Sequence, residues 1–220
     1  MLRRSIAVAL LAAACAPGCK SDTEAGGSTV GAEGTAAPPA AAAPVAATPK
    51  GADPAAVKIL SLDPSASKFE FDAAKITHTH HGSFQQFSGS VTLVGGALQS
   101  LSVEVETPSV QADEPKLTEH LKTADFLDVE KFPRATFKSS SIVDKPSGAY
   151  THEIAGALTL HGITENISFP ATISVTLASV SGSGEVRIDR KKFGVVYPGL
   201  PDDLIKDEVV LRPSFVFTRR

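Results

Sequence analysis

Cysteine is nearly absent from this chain of 220 residues, and both of its cysteines, Cys15 and Cys19, lie close to the amino terminus. The remainder of the chain therefore has neither a disulfide nor a thiol with which to do chemistry. An excess of basic charge is also missing, because 21 Lys and Arg stand against 24 Asp and Glu, for a net charge of −3. Since nucleic-acid binding requires a basic surface, this balance argues against a nucleic-acid partner.

Catalytic motifs are missing as well. The sequence contains no Gly-x-Ser-x-Gly elbow, no His-Glu-x-x-His zinc motif and no glycine-rich phosphate loop. We therefore expect a protein that is not an enzyme and that needs no cofactor. An enzyme or redox protein that uses the histidines with a metal or haem is the weaker alternative.

Residues 1–19 are typical of a secretion signal. Met1–Arg4 is basic, and the apolar run that follows, Ser5–Ala14, is too short to span a bilayer permanently. Cys15 follows Leu-Ala-Ala-Ala and resembles the lipidated cysteine of bacterial lipoproteins, whereas Cys19 is the weaker candidate because a proline precedes it closely. We expect export to the bacterial periplasm or outer membrane and attachment to a membrane surface by acyl chains. The alternative is an ordinary cleaved signal with incidental cysteines.

Residues 20–53 are predicted to be a disordered tether. They are rich in Ala, Pro, Gly and Thr, and they contain few large apolar side chains that could offset the entropy lost on ordering. A tether of this length spans about 30 Å or more, which would hold the following domain clear of a lipid surface.

Residues 54–220 carry the alternation of β-structure. The clearest stretch is Glu153–Leu177, in which two alternating runs flank a polar turn at His161–Asn166 and form a predicted hairpin. Its apolar positions are Ile154, Leu158 and Leu160 in the first run, and Ile167, Phe169, Ile173, Val175 and Leu177 in the second. A hairpin with one apolar face needs further strands to cover that face.

The other strands follow the same pattern, and one segment departs from it. Asp113–Asp125 has apolar residues at helical spacing, with Asp113 as the expected N-cap and Pro115 in the first turn. About eight antiparallel strands and one short helix near one end predict an all-β barrel or a two-sheet sandwich. An eight-stranded barrel is wide enough either to be filled by its own side chains or to hold one slender ligand.

Four segments in this order resemble the YceI-like family of bacterial periplasmic proteins. They are SKFEFDAAKITHTHHGSFQQFSG, EHLKTADFLDVEKFPRATFKS, IAGALTLHGITENISF and RIDRKKFGVVYPGLPDDLIKDEVVL. The resemblance covers about residues 57–217 and implies an extended, lipocalin-like antiparallel barrel that takes the apolar tail of a polyisoprenoid into its interior without catalysis. One departure is that the segment after Asp63-Pro64 lacks the aromatic residue that many members carry near the first strand.

The inward positions of the predicted strands supply the lining of such a barrel. They are Phe69, Phe71, Phe87, Val91, Leu101, Val103, Phe137, Leu158, Phe169 and Phe215. Small residues at the same parity, namely Ala73, Gly89, Gly156 and Ala171, leave room for a channel between them. Apolar contact alone would then bind a prenyl or acyl tail.

Polar residues near one end of the barrel are candidates for binding an anionic head group. We name His120 on the helix, His161 in the hairpin turn, and Arg187 and Lys191 beside Arg190 and Lys192. Each is alternatively a solvated loop residue.

We expect no metal site, although His78, His80 and His81 form a cluster of metal-binding residue types. In an extended strand only two of these side chains converge, and a third ligand would have to come from elsewhere, such as His152.

The leading hypothesis is therefore a non-enzymatic carrier or sequestering protein for a polyisoprenoid or acyl lipid at the bacterial cell envelope. The alternative is an interaction or stress-response module with a filled core, which would act through surface loops such as Tyr197–Asp203. The sequence leaves the oligomeric state open, a homodimer included.

Overall fold

The computed structural model describes residues 56–219, and within them it contains thirteen strands and one α-helix. The predicted signal and tether, with Cys15 and Cys19, lie outside the described residues. The strands are β1 (Val57–Leu62), β2 (Lys68–Lys75), β3 (Thr79–Phe84), β4 (Phe87–Val94), β5 (Ala97–Glu106), β6 (Val110–Ala112), β7 (Arg134–Ser147), β8 (Tyr150–Leu160), β9 (Ile163–Val175), β10 (Ser179–Gly184), β11 (Val186–Asp189), β12 (Gly199–Leu200) and β13 (Asp203–Thr218), and the helix is α1 (Pro115–Lys122).

Eight of these strands close into an antiparallel barrel, in agreement with the predicted fold class. Around the barrel the order is β1, β4, β5, β7, β8, β9, β10 and β13. The last strand pairs with the first through the registers Ser61 to Thr218 and Leu62 to Phe217. Because this pairing joins the two ends of the sheet, these eight strands leave no free edge at that level of the barrel.

Short strands extend the barrel wall toward the helix. β2 continues the line of β1 after a 3₁₀ turn at Pro64–Ala66, and both strands pair with β13. In the same way β3 adjoins β4, β6 follows β5, and β11 follows β10. β2, β3 and β6 pair side by side, so the wall is longer here than in the rest of the barrel.

Helix α1 lies beside β6 at the extended end of the barrel. Pro115 occupies its first turn as predicted, but the expected N-cap is wrong: Glu114 is the cap residue, and no side chain caps the helix. Asp113 instead turns toward β3, where its carboxylate accepts a hydrogen bond from the backbone amide of His81 at 3.2 Å. In residues 56–219 there is no helix with the length and apolar character needed to cross a membrane.

The apolar core has two parts along the barrel. The end of the barrel at which β1 pairs with β13, which we call the closed end, contains Leu60, Leu62, Phe87, Val91, Leu93, Val103, Val105, Val180, Phe215 and Phe217. The second part, nearer the helix, is centred on Val186, Ile188 and Phe193. The prediction that Leu177 points inward is wrong, because β9 ends at Val175 and Leu177 is 97% exposed in the following turn. Val175 keeps the inward parity of Ala171 and Ile173 and lies opposite the buried Val180, although it is 41% exposed at the end of the strand.

Removing a large side chain at the point of closure should destabilise the barrel. Leu62 is 2% exposed, so Leu62→Ala should lower the free energy of unfolding by about 2–5 kcal/mol. Ile59 lies on the same strand but is 66% exposed, and Ile59→Ala should change the free energy of unfolding by less than about 0.5 kcal/mol. Urea unfolding followed by circular dichroism measures both values, and equal losses would contradict the assigned closure.

Candidate functional site

The barrel encloses an apolar cavity of about 220 Å³. Almost all of its lining side chains are aliphatic or aromatic, and they come from the strands of the wall and from the segment that follows α1. One water molecule needs about 10–15 Å³ of cavity volume, so this cavity has room for more than ten groups of the size of a water molecule. The interior is therefore hollow, and its chemistry matches that of a hydrocarbon.

Nine of the ten lining residues expected from the sequence lie on this cavity. They are Phe69, Phe71, Val91, Leu101, Val103, Phe137, Leu158, Phe169 and Phe215. The tenth, Phe87, is not among the lining residues; it is buried in the core of the closed end, where its ring lies 5.5 Å from that of Phe215. Phe87 thus supports the wall rather than facing the space.

Small residues create part of the room, though not all in the same way. Ala73, Ala171 and Gly182 face the cavity directly. Gly156 does not line it, but a Cβ there would come within 2.6 Å of the Phe137 ring. The glycine therefore lets that ring lie flat against the neighbouring strand.

The two ends of the cavity differ in chemistry. At the closed end it stops against the buried side chains of Val180 and Phe217. At the other end, which we call the helix end, it is bounded by Leu121, Phe126, Leu127, Arg190, Val195 and Ile205. Polar groups are concentrated at the helix end.

Arg190 is the charged side chain among the lining residues, and it is buried. Its guanidinium donates to the carbonyl oxygens of Val195 at 2.7 Å, Lys206 at 3.1 Å and Ile205 at 3.3 Å. Asp207 lies 3.5 Å away. These acceptors satisfy the hydrogen-bond donors of the buried guanidinium, and through them Arg190 holds the turn after β11 against β13.

Two of the four predicted head-group residues, His120 and His161, lie at the helix end without lining the cavity. The His120 ring packs against Phe126 and Tyr197, and its Nε2 donates to Asp125 at 2.8 Å. His161 donates from Nδ1 to the carbonyl of Phe193 at 3.1 Å. Its Nε2 is buried and has no partner among the described residues, so it can still accept a hydrogen bond.

The other two, Arg187 and Lys191, point away from the cavity. Arg187 projects from the outer face of β11 and pairs with Glu185 and Glu208, which raise the pKa of its guanidinium. Lys191 is paired with Asp207 at 2.9 Å. The structure thus gives no support for either residue as a contact of a ligand inside the barrel.

The histidine cluster is arranged differently from the expectation. His78 and His80 do converge, but the third group beside them is Asp113. His152, the residue named from the sequence, instead bonds to Asp144 at 2.9 Å. His81 points to Asp72, with 2.6 Å between Nδ1 and the carboxylate.

A family model agrees with this architecture. The model of the YceI-like domain matches residues 60–217, which is more than half of the chain. The chain belongs to the YceI-like family. This assignment confirms the resemblance predicted from the four sequence segments.

Curated relatives of this YceI-like chain are UPF0312 proteins. One from Pseudomonas putida is 36% identical over 96 residues, which is 43% of this chain and 49% of that protein. One from Vibrio cholerae is 33% identical over 126 residues, 54% of this chain and 66% of that protein. The chain thus spans about half the length of its Pseudomonas putida relatives.

Solved structures share the fold. BcnA of Burkholderia cenocepacia superposes with a TM-score of 0.61 at 24% identity, covering 70% of this chain and 98% of that one. A polyisoprenoid binding domain from Saccharophagus degradans superposes with a TM-score of 0.59 at 15% identity, covering 76% and 99%. At these identities the likeness establishes the fold.

An ionised Asp203 should stabilise the helix end in a pH-dependent way. Desolvation opposes its charge, but hydrogen bonds from the Thr77 hydroxyl and amide and the charge of Lys75 outweigh that effect and lower the pKa of Asp203 below 3.8. A lowered pKa means that this stabilisation is complete above pH 3.8 and is lost as the pH falls through the folded-state value.

We therefore expect Asp203→Asn to reduce the free energy of unfolding at pH 7 and to lose this effect in acid below pH 3.8. Urea titrations at pH 7 and at successively lower pH measure the difference, with Asp202→Asn on the same turn as the control. A difference that does not change with pH would show that the Asp203 charge is not responsible.

Proposed function

We propose that this YceI-like protein binds the apolar tail of a polyisoprenoid or acyl amphiphile inside its barrel, and carries or sequesters it without catalysis at the bacterial cell envelope. The observation that carries the proposal is the apolar cavity of about 220 Å³. Its lining combines smooth aliphatic and aromatic surfaces, which match the chemistry of a hydrocarbon chain.

Energetics favour a cavity that has an occupant. An empty cavity destabilises a protein by about 24 cal/mol per Å³. For 220 Å³ this amounts to about 5 kcal/mol, comparable with the whole net stability of many domains. Larger side chains at positions such as Ala171 and Gly182 would remove the void, so retaining small residues there is consistent with a ligand.

A hydrocarbon tail gains enough from such a site to bind without charged contacts. Each buried methylene contributes about 0.8 kcal/mol, so ten of them give about 8 kcal/mol before the cost of association. Losing half of this would still leave about 4 kcal/mol, to which polar contacts at the head group would add.

The amphiphile's head group would lie at the helix end. The closed end is packed with buried side chains, whereas polar groups are concentrated at the helix end, where the apolar residues Ile76, Val196, Leu200 and Leu204 are also exposed. Ile76 and Leu204 are joined by a backbone hydrogen bond of 3.2 Å. His120 and the free Nε2 of His161 are the nearest predicted head-group contacts.

The neighbour from Saccharophagus degradans, whose name states polyisoprenoid binding, supports this ligand class. The proposed location rests on the sequence: residues 1–19 as an export signal, Cys15 or Cys19 as the lipidation site, and residues 20–53 as a tether. A lipid-anchored carrier would remain close to the membranes that supply and receive its ligand.

The alternative of a filled-core interaction module is less well supported. An interaction module with a filled core requires side chains that fill the barrel interior, whereas this barrel contains an apolar cavity of about 220 Å³.

Filling part of the cavity should weaken ligand binding without unfolding the protein. A Cβ added at Gly182 would meet its nearest atoms, Thr172 O and Ile173 Cγ1, at 3.7 and 3.8 Å, which is ordinary contact. Gly182→Leu should therefore be accommodated and should occupy space that the tail needs. We expect it to weaken binding of a fluorescent long-chain acyl probe by at least about tenfold, because displacing two methylenes already removes about 1.6 kcal/mol.

The matched control is Ser181→Leu, since Ser181 is the next residue on β10 and is exposed. Competition between the probe and a polyprenyl alcohol extends the measurement to isoprenoids. The proposal fails if the wild-type protein binds neither ligand, or if Gly182→Leu binds both as tightly as Ser181→Leu does.

A further inference from the structure

Three metal-binding side chains meet where β3 begins and β6 ends. His78, His80 and Asp113 each place one ligand atom within 4.8 Å of the others. His80 Nδ1 donates to the Asp113 carboxylate at 3.1 Å, and the rings of His78 and His80 are 4.8 Å apart. The sequence separates Asp113 from the two histidines by more than thirty residues, and the pairing of β3 with β6 brings them together.

The fold holds two of these groups in place independently of each other. His80 pairs with Ala73, a cavity-lining residue, and is only 8% exposed. Asp113 is fixed by two contacts with His81: its amide donates to the His81 carbonyl at 2.9 Å, and its carboxylate accepts from the His81 amide at 3.2 Å. The carboxylate would therefore keep its position if the proton of His80 were replaced by a metal ion.

We propose that His78, His80 and Asp113 bind a divalent transition-metal ion, with Zn²⁺ as the representative. Two imidazole nitrogens and one carboxylate oxygen form a ligand set common to Zn²⁺ and Fe²⁺ sites. In a tetrahedral site, metal bonds of about 2.0–2.2 Å place ligand atoms about 3.3–3.6 Å apart, so the widest separation in the cluster would have to shrink by at most about 1.5 Å.

His78 is the residue able to make this adjustment, because it is exposed while His80 is buried. The ion would take the place of the proton on His80 Nδ1 and would bring His78 inward. Exposure on the His78 side leaves a coordination position open to solvent, as in zinc sites with three protein ligands.

The test uses the full-length protein without a histidine tag, dialysed against a chelator and then freed of it. Isothermal titration with Zn²⁺ and the visible absorption of bound Co²⁺ should show one ion per chain. His78→Ala should weaken binding by at least about tenfold while leaving the thermal unfolding of the metal-free protein unchanged, since the side chain is exposed. Asp113→Asn should also weaken it.

His81→Ala is the matched control, because His81 is the adjacent histidine but bonds to Asp72 instead. It removes the same side chain and should leave Zn²⁺ affinity unchanged. Equal Zn²⁺ affinity of the wild-type, His78→Ala and His81→Ala proteins would overturn the proposal. So would dissociation constants for Zn²⁺ weaker than micromolar in all of them, and the cluster would then be a His–Asp hydrogen bond only. Lipid uptake is measured separately, so the failure of either proposal is distinguishable from failure of the other.

Discussion

Backbone pairing between β1 and β13 is the interaction on which the rest of this structure depends. By closing the sheet it satisfies backbone groups that would otherwise form an open edge, and it turns one face of every strand toward a shared interior. Eight strands make that interior slightly wider than the present side chains fill. The cavity inside the barrel follows from this closure.

A cavity inside a barrel lowers the stability of the fold, and the two ends of this barrel compensate for that loss by different interactions. The closed end is packed around Leu62 and Phe217 and supplies the apolar core. The helix end uses polar contacts in addition, because Arg190 binds three carbonyl oxygens and Asp203 holds Thr77. The wall can therefore remain rigid around a space that contributes no packing energy of its own.

Much of the fold could be predicted from the sequence, because alternation directly encodes which face of a strand is buried. It placed Phe69, Phe137 and Phe169 inside correctly, and the polar turn predicted at His161–Asn166 lies in a real hairpin, although β9 already begins at Ile163. Alternation does not show where a strand ends, which is why Leu177 was misplaced. Nor does it measure the space between inward side chains, so the cavity itself and the packing of Phe87 into the core next to it needed the structure. The approach of Asp113 to His80 depends on β3 pairing with β6, a long-range contact that no local pattern contains.

A hollow apolar barrel accounts together for the small residues on its lining, the packed closed end and the polar groups near the helix. The most direct measurement is native mass spectrometry of the full-length protein purified from cells without organic solvent. The account predicts folded protein carrying an adduct with the mass of a long-tailed lipid, which is released on denaturation. Protein that is bare when isolated, and still bare after incubation with polyprenyl and acyl lipids, would contradict it.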